Sequence, residues 1–197
     1  MAHDKEPGLL RIMKEDLDVV VAQDPSMRNR REALLHAALP ALWAHRVAHR
    51  LHRRGMRMTA QLIAWQARRK TSVEIHPGAV LGRRVFIDHG AAVVIGETAV
   101  VGDDVTIYHQ VTLGAVGWWS DNKRPAGERR HPVVGHNVVL GTNATVLGPV
   151  TIGEHAVIGA QALVNKDVPP GARVLAATAV IKAMEDLYAV TASAGSW

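Results

Sequence analysis

Three short clusters in this sequence carry groups that move protons or hold charge: Glu74-Ile75-His76-Pro77, Asp88-His89-Gly90 and Arg129-Arg130-His131-Pro132. A neutral imidazole, with a reference pKa near 6.5, accepts a proton readily at cellular pH. A carboxylate on its second nitrogen fixes the tautomer and stabilises the imidazolium that forms. A guanidinium grips a carboxylate through two parallel hydrogen bonds. Taken singly, each residue has a plainer reading. His76 precedes a proline at a corner, Asp88 suits a turn whose N–H groups it bonds, and a lone His89 reads as a surface histidine. The chain has no Cys, which removes disulfides, thiolate zinc sites and an acyl-cysteine intermediate.

The elements that position these clusters announce themselves by a period of six. Ile75, Leu81 and Ile87 fall six apart. After a slip of two, Ile95, Val101, Ile107 and Leu113 resume the count, and after a longer break Val134, Leu140, Val146, Ile152, Ile158 and Val164 repeat it. Four places after each stands a small or β-branched residue, such as Ala79, Val85, Ala91 and Ala99. Gly follows many of them, suited to backbone at φ > 0 or to close approach at corners. Helices repeat at three and four and strands at two. Six fits a parallel β-helix of hexapeptides, one inward aliphatic per hexad and three hexads per turn. The three clusters lie outside the inward row, so their polar groups can face a cleft.

Before the repeat, Leu10, Met13, Leu17, Val20 and Val21 mark an amphipathic helix ending near Asp24-Pro25. A second helical region over 30–54 is expected to be kinked or divided by Pro40 and stopped by Gly55. A third carries Met58, Leu62, Ile63 and Trp65. The organisation expected is a helical cap over 1–72, a β-helix over 73–180 with an external loop at 114–133, and a C-terminal helix and tail over 181–197. The cap covers strand edges that the open end of the stack would expose. The loop holds Trp118 and Trp119, read as packing residues, with Lys123, Arg124, Arg129 and Arg130. The helix is placed at 180–188, and 191–197 is read as disordered.

Taken together these residues resemble the bacterial serine O-acetyltransferases, members of the hexapeptide acyltransferases. The carriers are Asp24-Pro25, the segment 43–55, Glu74-Ile75-His76-Pro77-Gly78-Ala79, Asp88-His89, Val94-Ile95-Gly96-Glu97-Thr98, Val111-Thr112-Leu113-Gly114 and Arg130-His131-Pro132. The resemblance covers roughly 16–170. It implies a mainly β protein, a left-handed parallel β-helix with an N-terminal α-helical cap. It also implies transfer of acetyl from acetyl-CoA to the hydroxyl of L-serine, the entry to cysteine synthesis. By that resemblance His89 is the general base and Glu74 its carboxylate partner, while Asp24, Asp88, Arg130 and His131 hold the amino acid. Gly114, Thr142 and Ala160 lie on the CoA path, in a groove between neighbouring solenoids. Lys166, Arg173 and Lys182 are candidates for its phosphates.

The chemistry agrees with that assignment. A serine hydroxyl is a poor nucleophile whose proton must leave during attack on the thioester, a service worth about 10²–10⁴ in rate. With no Cys to carry the acetyl group, direct transfer in a ternary complex is expected. The chain departs from the family at Glu74, where many members have Asp, and at Ala115, which replaces a second Gly. Beyond Pro170, Ala176 and its neighbours replace the usual Gly-x-Pro-Ala-Arg/Lys ending. The tail closes on Ser196-Trp197 rather than the Ile that docks relatives into a sulfhydrylase, so that complex is not expected. A short cap favours a homotrimer over a dimer of trimers.

Rival readings are the same mechanism on another hydroxy amino acid (homoserine, threonine or an analogue), a zinc hydratase using His109, His131 and His136, and a silent scaffold subunit. No metal is expected on the main reading. The net charge is +5, with Arg28, Arg30, Arg31, Arg50, Arg53, Arg54, Arg68, Arg69 and Lys70 ahead of the repeat. These are read as solvated helix faces, because no recognition motif or aromatic stacking series accompanies them. Neither nucleic acid nor membrane is an expected partner, and the cytoplasm is the expected compartment.

Overall fold

The structure is a computed structural model that describes residues 8–117, 119, 123–125 and 127–179. Trp118, Lys182, the helix expected at 180–188 and the tail at 191–197 lie outside those residues. Among the described residues four helices come first: α1 (Leu9–Gln23), α2 (Arg30–Ala33), α3 (Leu39–Arg53) and α4 (Arg57–Thr71). The helical region expected over 30–54 is divided, into α2 and α3, rather than kinked, and Pro40, the second residue of α3, opens the later helix. Its missing N–H costs nothing in a first turn.

Among the described residues fourteen short strands then wind into a left-handed parallel β-helix of three faces. Face one stacks β1 (Glu74–Ile75), β4 (Val94–Ile95), β7 (Thr112–Gly114), β10 (Thr145–Leu147) and β13 (Leu163–Val164). Face two stacks β2 (Val80–Leu81), β5 (Val100–Val101), β8 (Val133–Val134) and β11 (Thr151–Ile152). Face three stacks β3 (Phe86–Ile87), β6 (Thr106–Ile107), β9 (Val139–Leu140), β12 (Val157–Ile158) and β14 (Arg173–Val174). Each aliphatic of the six-residue row is buried in one continuous core, together with the small residues of the corners.

One expected core position fails. Ala91 is exposed, and Val93 takes its place in the core. The cause is the slip of two: the corner between β3 and β4 holds two more residues than the corner between β6 and β7. The extra length leaves the later strands in step, since Ile75 still pairs with Ile95 and Ile87 with Ile107. The glycines after the aliphatics serve close approach rather than φ > 0. At Gly141 a Cβ would lie 2.7 Å from the backbone nitrogen of Ala160 on the next coil. The left-handed backbone falls instead on two stacked series of corner positions, Arg84, Asp104, Asn137 and His155 at one corner and Ala92, Gln110, Asn143 and Gln161 at another.

The cap seals the first coil. Ala38 and Leu42 belong to the same buried cluster as Val73, Ile75 and Ile87. Arg46, on α3, donates to the carbonyls of Leu81 (2.7 Å) and Gly82 (2.8 Å), which end the first strand of face two. The same guanidinium pairs with the fully buried Asp16 of α1 at 3.0 Å. One side chain thus occupies acceptors on the stack's open edge and is itself neutralised.

Beside it, His45 is buried and its Nδ1 has no hydrogen-bond partner. Burial, with the neighbouring Arg46 adding to it, holds its pKa well below the ordinary value of 6.5. His36, His49 and His76 are lowered too, burial being the main cause in each. The unfolded chain therefore binds these protons first. Stability is full above about pH 6.5 and falls as pH drops from there toward the folded pKa, by up to about 1.4 kcal/mol per pH unit for each such histidine. Urea unfolding at pH 8 and pH 5 should show that loss. His45→Leu should make it smaller.

Candidate active site

Asp24 caps the C-terminus of α1, its N–H bonding the Val20 carbonyl. Its Oδ1 accepts from Ser26 N (2.9 Å) and from Ser26 Oγ (2.6 Å). Those two bonds hold its pKa below the usual carboxylate range, so Asp24 is ionised at neutral pH. The chain then crosses the outer side of face three, where Phe86 packs with Val20, Ala33 and Leu39. A cleft of about 610 Å³ opens there, lined by Asp24, Ser26, His36, Phe86, Asp88 and His89 among others.

His89 sits in the lengthened corner with φ 58°, followed by Gly90 at φ 82°. A left-handed histidine is uncommon and here turns the ring outward. The side chain is 72% exposed, its Nε2 is 3.7 Å from Asp88 Oδ2, and its ring meets that of His109 edge-on at 5.5 Å. Asp24, Asp88 and His89 are thus gathered in one cleft from places far apart in sequence. His36 joins them although no sequence signal marked it. It stands alone between Leu35 and Ala37, and only tertiary packing against Phe86 (5.7 Å between rings) brings it in. Its Nε2 lies 3.9 Å from Asp24. Burial outweighs the nearby Asp24 and Asp88, so His36 is neutral at neutral pH and the contact is not an ion pair.

Glu74 stands elsewhere. It leaves face one outward and pairs with Arg68 of α4 at 3.1 Å. Its recess is lined also by Trp65, Arg69, Ala92 and Val94, at the far end of the His89 corner. Among the described residues, the carboxylate within 4 Å of His89 is Asp88.

Arg130 and His131 are on the other side of face one, at the corner leading to face two. Arg130 pairs with Glu97 at 2.8 Å, and Glu97 lies 3.6 Å from Arg57. The backbone N–H groups of Arg130 and His131 both donate to Thr98 Oγ1. A full face of the solenoid therefore separates this pair from the His89 cleft. The expected CoA residues divide the same way. Strand register stacks His89, His109, Thr142 and Ala160 up one corner. Gly114 and the exposed Lys166 belong to the other corner. Of the loop, Trp119 is 60% exposed and lies over Gly117.

The three histidines of the zinc reading are dispersed to three corners. Nδ1 of His131 accepts from Thr98 N, and Nδ1 of His136 from Asp103 N. Among the described residues no group of three potential ligands gathers for a metal. None of the described helices is long and apolar enough to cross a membrane.

The family described as bacterial transferase hexapeptide (six repeats) matches residues 131–166. A serine acetyltransferase of Mycobacterium tuberculosis is 49% identical over 168 residues, 85% of this chain and 70% of its own length. A Neisseria gonorrhoeae serine acetyltransferase solved in complex with serine is 35% identical with a TM-score of 0.77, covering 86% of this chain and 67% of that one. A Brucella abortus serine acetyltransferase solved with coenzyme A is 32% identical with a TM-score of 0.79, covering 88% and 67%.

Proposed function

The chain belongs to the serine acetyltransferase family of hexapeptide-repeat transferases, and from that premise we propose a mechanism in which His89 is the general base for direct acetyl transfer to L-serine. The protein is an acyltransferase with acetyl-CoA as co-substrate. The observation that carries the mechanism is the cleft in which Asp24, Asp88 and the exposed imidazole of His89 converge.

The two aspartates attract the ammonium group and place the hydroxyl beside His89. His89 takes the hydroxyl proton as the oxygen attacks the thioester carbonyl. The C–O bond forms, the C–S bond breaks, and the departing thiolate recovers the proton from the imidazolium. Asp88 is the nearest carboxylate to steady that imidazolium. Glu74 serves instead if it exchanges Arg68 for His89, and comparing Asp88→Asn with Glu74→Gln separates the two.

Arg130 and His131 are suited to the substrate carboxylate, but a face of the solenoid stands between them and the cleft. The same chain therefore supplies two half-sites, and a homotrimer completes three whole ones. The groove between subunits is then the path for CoA, with Thr142 and Ala160 on one wall and Gly114 and Lys166 on the other.

Thiol release from acetyl-CoA across serine, homoserine, threonine and other amino acids tests the acceptor. Serine should give the highest kcat/KM, and its failure as an acceptor would remove the reading. Subunit mixing tests the shared site. His89→Ala and Arg130→Ala chains, each inactive alone, should regain about a quarter of wild-type activity when reassembled together, the statistical share of interfaces that join two intact halves. No recovery would place the whole site within one chain. Asp24→Asn should raise the KM for serine about tenfold or more, as expected on losing a charge-assisted bond, with the KM for acetyl-CoA little changed.

A further inference from the structure

Resting on the serine acetyltransferase reading, we propose that Thr98 is a positioning residue that fixes the proton of His131 on Nε2, making this imidazole a standing hydrogen-bond donor toward the substrate carboxylate. A threonine hydroxyl has one proton to give and two lone pairs to fill. Thr98 Oγ1 accepts from Arg130 N at 2.8 Å and from His131 N at 3.1 Å, which uses both lone pairs. Its own proton is directed to His131 Nδ1, 2.9 Å away. The Thr98 N–H, which can only donate, reaches the same nitrogen at 3.2 Å. Two donors on Nδ1 leave it no proton, so the neutral ring carries its proton on Nε2.

The ring cannot escape by turning over. It is buried, and it lies so close above Gly96 that a Cβ there would overlap Cδ2 and Nε2. A flip would also set a ring carbon against both Thr98 donors and forfeit two hydrogen bonds. Gly96 thus makes room for the imidazole, Thr98 sets its tautomer, and Glu97 next door holds Arg130.

Two histidines of the shared site therefore have opposite jobs. None of the bonds among the described residues brings a backbone N–H to the His89 ring, which remains able to accept a proton. His131 is held as a donor. The arrangement suits a carboxylate, which only accepts when ionised, and fits an amino-acid acceptor better than a neutral alcohol.

Nitrogen NMR of the His131 ring in the full-length, assembled protein at pH 8 reads the proton position directly. A protonated Nε2 and bare Nδ1 are expected in the wild type, and the reverse pattern would overturn the inference. Thr98→Val removes the hydroxyl at nearly constant shape and should populate both tautomers. It should raise the KM for serine about tenfold, the effect of roughly one hydrogen bond. The KM for acetyl-CoA should stay within about twofold, and Thr98→Ser should restore the wild-type values. An unchanged serine KM in a folded Thr98→Val protein would also overturn it. If serine proves not to be the acceptor, the ring spectrum still decides where the proton sits, so the two readings fail separately.

Discussion

His89→Ala should lower kcat about 10²–10⁴-fold, the usual worth of a positioned general base, or roughly 3–5 kcal/mol of transition-state stabilisation. The KM values for serine and acetyl-CoA should change little, because Asp24, Asp88 and the coils that meet CoA are untouched. The fold should survive, since the side chain is 72% exposed and its ring contact among the described residues is an edge-on one with His109. One structural effect needs separating. Position 89 has φ 58°, where alanine costs roughly 1–2 kcal/mol more than a residue tolerant of that region. His89→Asn, which adopts left-handed backbone easily, controls for it. Both variants should lose activity equally while Asn keeps wild-type stability. Substantial activity in the asparagine variant would remove His89 from the chemistry.

The second large effect is on stability. Arg46→Ala should destabilise the protein by about 3–5 kcal/mol, the cost of leaving one member of a buried pair alone. Asp16 has no exposed surface, and burial already raises its pKa against the opposing pull of Arg46. Without the guanidinium it must take up a proton or remain charged in the interior. The Leu81 and Gly82 carbonyls would also lose their donor at the stack's open edge. Against a total stability of about 5–15 kcal/mol, such a loss leaves little margin. Arg46→Met fills the space but restores neither carbonyl, so it should recover only part of the deficit. Thermal melts of the two variants would show this. A midpoint near wild type in Arg46→Ala would mean that water reaches the edge and serves as well.

The solenoid was legible because its period is enforced by geometry. One inward residue per hexad leaves no freedom about which side chains meet, and the register pairs Ile75, Ile95 and Leu113 as the spacing demands. The exception is instructive. Ala91 satisfied the spacing but not the structure, because two residues had been added to its corner. The slip of two was visible in the sequence, while its meaning, a bulge that presents His89, was not. Site residues were legible by type and far less by partner. Glu74 and His89 lie close along the chain, yet a period cannot say that Arg68 from a preceding helix will claim the carboxylate. Asp24 and His36 reach the cleft through packing of the cap on Phe86, which has no periodic signature. The separation of Arg130 from His89 was implicit in the hexad count, since each hexad moves the chain one face on.

Counting by faces makes insertions and deletions quantised in this molecule. Removing or adding a single residue inside a strand would rotate everything downstream onto the wrong side of the prism. A complete coil could come or go with each facing preserved, altering only height, by about 4.8 Å. The bulge at His89 escapes that rule because its surplus is spent outside the ladder. Corners are therefore where such a scaffold can change length without losing step, and where new chemistry can be grafted onto it.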